Sequence, residues 1–299
     1  MLVTMKEILD HASKENYAVA APNVFSELDM RAYIEAAEEL NSPIIINVHV
    51  AHNPDLYTMA KLAREFANQS FVPVAVNLDH GGKKEEILTA IRAGFTSVMI
   101  DRSSLSFEEN ASQTKEIVDV AHAVGVSVEA EFGHVGQADN AKEDTKKALT
   151  TPEEAKKFVE ETNVDCLAVA IGTAHGSYPR GFTPYLDVER LIEIKKAVNG
   201  LPLVLHGSSG SDPEDLRKVC ANGINKVNVA NDLCKAAVKA IRETDLDGNK
   251  AYDVWYVARS AAKAKLKEFM ELYGSVNKAY KKEPEGILSE DKQRDMSEK

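Results

Sequence analysis

Eight short apolar runs separated by helical patterns constrain this chain more than any other feature. The runs are Tyr17–Val24, Pro43–Val50, Val72–Asp79, Ser97–Asp101, Val126–Phe132, Cys166–Ile171, Pro202–His206 and Lys226–Val229. Most are nearly continuous in Val, Ile, Leu and Ala, the pattern of parallel strands covered on both faces. The stretches between them repeat apolar residues at helical spacing, as in Glu27–Asn41, where Leu28, Tyr33, Ile34, Ala37 and Leu40 oppose a row of glutamates. Gly94, Gly125, Gly200 and Gly223 stand just past the expected helix ends. Eight strand–helix units without a break in composition predict an α/β fold, a single (β/α)8 TIM barrel over residues 1–280. An open doubly wound sheet fits less well, since no G-x-G-x-x-G follows the first strand. A further long helix is expected over Tyr252–Tyr273, and a charged, disordered tail over 281–299.

Composition narrows the function. The 299 residues carry a formal net charge of -11. No basic cluster interleaved with aromatics is present, which argues against a nucleic-acid partner. No apolar run approaches the roughly 20 residues that cross a bilayer, and no signal-peptide pattern opens the chain. Cys166, Cys220 and Cys234 show neither metal spacing nor a disulfide framework. A cytoplasmic protein with reduced thiols and no membrane partner is the expectation.

In barrels of this kind chemistry gathers at the C-terminal strand ends. Polar groups fall there: Asn23, His49, Asp79 with His80, Asp101, Glu129 and Glu131, His175, His206, and Asn228 to Asn231. His80, His175 and His206 come from three strand ends and match the donor set of a catalytic zinc with one open position. Asp101 and Glu131 suit carboxylates behind those histidines or an alternate metal position. Asp79 suits a proton shuttle. Gly207-Ser208-Ser209-Gly210 and Asn228-Val229-Ala230-Asn231 suit phosphate, and a loop of small residues surrounds His175. Asp212 and Pro213 should open the helix after the first of these loops. His11 and His122 fall in helices and are read as surface residues; His52 and His134 receive no role. A Schiff-base mechanism would need a lysine at an interior strand end, and Lys226 stands at the start of its strand.

These residues resemble the class II (zinc-dependent) ketose-bisphosphate aldolases. The collinear motifs are Leu78-Asp-His-Gly81, Gly94 to Asp101, Val128-Glu-Ala-Glu-Phe-Gly-His-Val-Gly136, Ala168 to Gly176, Pro202 to Gly210 and Gly223 to Ala230. The resemblance implies zinc on His80, His175 and His206, with Asp101 and Glu131 matching a second divalent position. It makes Asp79 the acid/base at the substrate's C4 hydroxyl. Gly176, Gly207, Ser209 and Asn228 would hold the dihydroxyacetone phosphate half, near a monovalent cation (Na+ or K+). Ser208, Val229, Ala230 and Asn231 complete the expected substrate edge, with Asn23 and His49. The implied reaction is reversible cleavage of a ketose phosphate to dihydroxyacetone phosphate and an aldehyde, in a homodimer or homotetramer. The chain departs from the family pattern at the substrate edge. Ala21-Pro-Asn-Val24 replaces Ala-Phe-Asn-Val; His49 replaces a small residue, often Ser; and Arg102 replaces a glycine. Gly136-Gln-Ala-Asp139 replaces Gly-Gly-x-Glu, leaving Asp139 as the substitute for the loop's catalytic glutamate. Asn231 stands where Thr is usual. The competing expectation is a catalytically impaired barrel that only binds sugar phosphate or serves a structural role.

Overall fold

The computed structural model describes residues 1–133, 149–174, 176, 178 and 182–281. His134, Asp139, His175 and the tail expected from residue 281 onward therefore lie, apart from Lys281 itself, outside the described residues. The described chain begins with helix α1 (Met5–Glu15) and runs through strand–helix pairs. These are β1 (Val19–Pro22) and α2 (Glu27–Glu39), β2 (Ile44–His49) and α3 (Leu56–Gln69), β3 (Val74–Gly81) and α4 (Lys84–Ala93), and β4 (Ser97–Ile100) and α5 (Phe107–His122). Then come β5 (Ser127–Phe132) and α6 (Pro152–Thr162), β6 (Cys166–Val169) and α7 (Val188–Ala197), β7 (Leu203–Leu205) and α8 (Pro213–Ala221), and β8 (Ile224–Val229) and α9 (Asn231–Glu243). A 3-10 turn over Gly248–Asp253 leads into α10 (Val254–Leu272).

All strand pairs are parallel, in the order β1-β8-β7-β6-β5-β4-β3-β2. Between β1 and β2 the barrel closes through an Asn23–Asn47 bridge, where Val24 N–H donates to Asn47 C=O at 3.0 Å. The eight expected units are present, and helix α1 precedes them. Its local causes are clear. Thr4 accepts from Glu7 N–H while Glu7 reaches back to Thr4, a capping box. Its buried side Met5, Ile8, Leu9 and Ala12 fits the apolar floor formed by Val19, Ala21, Ile45, Ala75, Cys166, Ala168 and Val204. A second, larger apolar layer lies outside the sheet, between strands and helices. Alternation along each strand separates the two: Ala18 and Ala20 face outward, Val19 and Ala21 inward.

Helix ends use the expected chemistry. Asp212 caps α8 and Pro213 is its first residue. Gly94 ends α4 at φ 96°, and Asn16 and Asn163 take the same left-handed role after α1 and α6. His11 and His122 are not simple surface residues. His11 Nδ1 is 2.9 Å from Tyr17 Oη and its ring stacks on Tyr280, while His122 Nε2 is 2.8 Å from Asp165 Oδ2. Both sit where helices meet neighbouring elements, so one ring edge is covered.

Candidate active site

Polar side chains that share one strand face build this site. Asn47 and His49, Asn77 and Asp79, Glu129 and Glu131, and Lys226 and Asn228 are each two residues apart, so each pair points to the same side. Near the mouth of the barrel that side is the interior. A cavity of about 480 Å3 opens there. Asn23, His49, Asp79, His80, Asp101, Glu131, Gly176, Gly207, Ser208, Ser209, Asn228, Ala230 and Asn231 line it, together with His52 and Ser103. Of the expected substrate residues described, Val229 alone does not line the cavity. Its side chain belongs to the outer apolar layer, because alternation turns it away from Asn228.

Two carboxylates set the roles of two imidazoles. His80 Nδ1 is 2.9 Å from Asp101 Oδ2, and His206 Nε2 is 2.8 Å from Glu129 Oε1. With those nitrogens donating, His80 Nε2 and His206 Nδ1 present their lone pairs to each other across 3.1 Å. Such a nitrogen pair suits a shared proton or a cation held between the two rings. Glu131 Oε2 is 3.6 Å from His206 Nδ1, and one donor atom each from His80, Glu131 and His206 lies within 4.8 Å of the others. This nitrogen–nitrogen–oxygen set, supported by Asp101 and Glu129, fits a divalent transition metal. Asp101 thus stands behind His80, whereas Glu131 joins the donor group.

The electrostatics favour a cation. Burial alone would lower the His80 value, but Asp79, Asp101 and Glu131 outweigh it and raise it to about 9. Burial likewise opposes ionisation of Asp79, yet His80, Lys226, His206 and the hydrogen bond from Asn23 hold its carboxyl well below the usual range. Asp79 accepts from Asn23 Nδ2 at 2.8 Å and from Asn228 Nδ2 at 2.9 Å. The Asn228 amide is itself fixed by Asn47 Nδ2 at 3.1 Å, and Asn47 by Asn77 Nδ2 at 2.9 Å. A buried file of amides thus aims one carboxylate. His80 sits at φ 49°, a conformation that costs a non-glycine residue roughly 1–3 kcal/mol. Gly81 follows because a Cβ there would lie 2.4 Å from Met99 C=O. Gly207 is at φ 65°, and a Cβ there would lie 2.4 Å from Ala174 C=O.

Reading strand ends alone missed Lys226, Asn47 and Asn77 as site residues and gave Glu129 no role. Lys226, at the start of its strand by sequence, is fully buried inside the barrel with Nζ 2.6 Å from Glu129 Oε2. The ion pair rules out a free Schiff-base amine and fixes Glu129 under His206. The available signal was a polar residue two positions before each strand-end group. Arg102 donates to Gly81 C=O at 3.4 Å and Asp101 C=O at 2.7 Å, tying the ends of β3 and β4 together.

Barrel, donor cluster and aimed carboxylate together form a candidate active site that could hold a metal. The sequence matches the family Fructose-bisphosphate aldolase class-II over residues 3–278. A fructose-bisphosphate aldolase of Thermus caldophilus is 43% identical, with 93% of this chain and 100% of the relative covered. One from Helicobacter pylori is 40% identical at 93% and 100% coverage. The crystal structure of the YdjI aldolase from Escherichia coli K12 superimposes with a TM-score of 0.84 at 35% identity, covering 94% of this chain and 100% of that one. The chain belongs to the class II fructose-bisphosphate aldolase family, a family of lyases that act on sugar phosphates.

Proposed function

We propose that this chain cleaves a ketose phosphate reversibly to dihydroxyacetone phosphate and an aldehyde such as glyceraldehyde 3-phosphate, with zinc as the catalytic metal. The observation that carries this reading is the convergence of His80, Glu131 and His206 beside the fixed carboxylate of Asp79. His80 and His206 would hold the ion, with His175 as the third histidine and Asp101 and Glu131 as a second divalent position. A bound divalent cation supplies a Lewis acid that draws electron density from a ketone carbonyl. Asp79, ionised and acceptor-only, takes the proton of the hydroxyl next to the breaking carbon–carbon bond. Asn23 and Asn228 keep both its oxygens aimed, so little reorientation is needed as the proton moves. Gly176, Gly207, Ser208, Ser209 and Asn228 would hold the phosphate half, near a monovalent cation. Asn231 opens α9 at the cavity edge, where the positive end of the helix favours an anion. Asp139 would handle the second proton transfer. The barrel over 1–280 would work in the cytoplasm as a homodimer or homotetramer, and glycolysis is the natural setting. Among the described residues no helix is long and apolar enough to cross a membrane.

The test is release of dihydroxyacetone phosphate from a panel of ketose mono- and bisphosphates, with chelator and after zinc is restored. Turnover that is lost with chelator and returns with zinc supports the reading. Zinc-loaded protein that turns over no member of the panel overturns it.

A further inference from the structure

The phosphate loops account for one end of the cavity; His49 and His52 form another. Asp79 leans toward Asn23 and Asn228, whereas its neighbour His80 turns to Asp101 and His206. A substrate with its reacting carbon at Asp79 and its phosphate at the loops after β7 and β8 has its other end within reach of the ends of β1 and β2, where Asn23, His49 and His52 line the same cavity. His49 pairs with Asp79 in strand register, and its ring lies 6.0 Å from that of His80.

That wall is built rather than loose. The His49 carbonyl accepts from His52 N–H at 3.0 Å and Asn53 N–H at 2.9 Å, and Asn53 Nδ2 donates to Val24 C=O at 2.7 Å. The His52 ring packs between those of Phe25 and His49, with centroids at 4.8 and 5.4 Å. Ala51 N–H donates to His49 Nδ1 at 3.0 Å, which leaves Nε2 to carry the ring's proton. His49 therefore offers one N–H donor in a bulky ring, with the His52 imidazole packed beside it. Phosphate recognition calls for several charge-assisted donors. No lysine or arginine is among the described residues lining the cavity.

We propose that His49, braced by His52, sets specificity by donating one hydrogen bond from Nε2 to an oxygen of the aldehyde half. It thereby favours a ketose 1-phosphate ending in an uncharged hydroxyl over the corresponding 1,6-bisphosphate. This rests on the aldol-cleavage reading above. Where the family pattern has a small residue, the imidazole fills that room.

The experiment measures kcat/KM of the zinc-supplemented full chain on matched 1-phosphate and 1,6-bisphosphate pairs of fructose and tagatose. Wild type, His49→Ser and His49→Gln are compared. Wild type should prefer the monophosphates. His49→Ser should move the ratio toward the bisphosphates by about 10-fold or more, the scale of one hydrogen bond plus freed volume. His49→Gln retains a donor and bulk and should hold the ratio within about 3-fold of wild type. A wild-type preference for bisphosphates, or an equal fall on both members of a pair in His49→Ser, overturns the inference and leaves the aldolase reading intact. No turnover by wild type on any probe overturns that reading and this inference with it.

Discussion

The floor and the mouth of this barrel are made by the same strands yet hold together in opposite ways. At the floor, Val19, Ile45, Ala75, Cys166 and Val204 meet the apolar face of α1. Each contact there is non-directional, and many neighbours share the work. At the mouth, Glu129, Lys226, His206, Asp79 and Asn228 are buried too, but each depends on one or two named partners. A buried polar group that loses its partner carries its full desolvation cost, whereas a shortened apolar side chain loses only part of its contacts. The floor should tolerate changes gradually, and the mouth should fail one partner at a time.

The sharpest break should come at Asp79. Asp79→Asn keeps the shape but removes the proton acceptor, and kcat should fall by about 10²–10⁴-fold with metal content unchanged. Steady-state kinetics beside metal analysis checks this; near-normal turnover would remove Asp79 from the chemistry. Next is Lys226→Met, which strands the Glu129 carboxylate at 0% exposure. Breaking such a buried pair costs about 3–5 kcal/mol, read from urea unfolding, and Glu129→Gln on top should recover part of it. No recovery would mean that the loss comes from packing.

Lys195, at the rim of the floor, probes buried charge outside the mouth. Burial lowers its ammonium to about 8, from an unfolded value of 10.5. Between those pH values the unfolded chain binds more protons, so this group adds stability as pH rises from 8 to 10.5. Its ammonium donates to Ser13 Oγ, the Leu201 carbonyl and Asn225 Oδ1, hydrogen bonds that Lys195→Met also removes. The wild-type minus Lys195→Met difference in unfolding free energy should therefore grow by about 1–2 kcal/mol from pH 8 to 10. A flat difference would show that the ammonium is well solvated. The smallest effect is expected at Ile8→Val in the floor, about 0.5–1.5 kcal/mol with kcat/KM unchanged. A large loss of activity there would erase the division between the two ends.

Much of this molecule was readable from local pattern. The eight strands, the Asp212–Pro213 helix start and the left-handed glycine after α4 follow from residue type and spacing. So does the gathering of Asp79, His80, Asp101 and Glu131 at one cavity, with His206 packed against His80, because a barrel brings every strand's C-terminal end to the same face. Where the side chains of Lys226 and Val229 point was not legible, for one reason. Side-chain direction depends on alternation and on strand stagger around the barrel, which a one-dimensional run does not show.

The sequence by itself determined the fold class, the donor types and their order along the chain, since periodicity and residue chemistry are local properties. Only the tertiary structure decided which nitrogen of each histidine faces the centre and which carboxylate supports it. It also decided that Lys226 lies buried under Glu129 and that His49 stands beside Asp79. Those relations join residues 21 to 97 positions apart, or lie across neighbouring strands, and closure of the barrel is what brings them within hydrogen-bond reach.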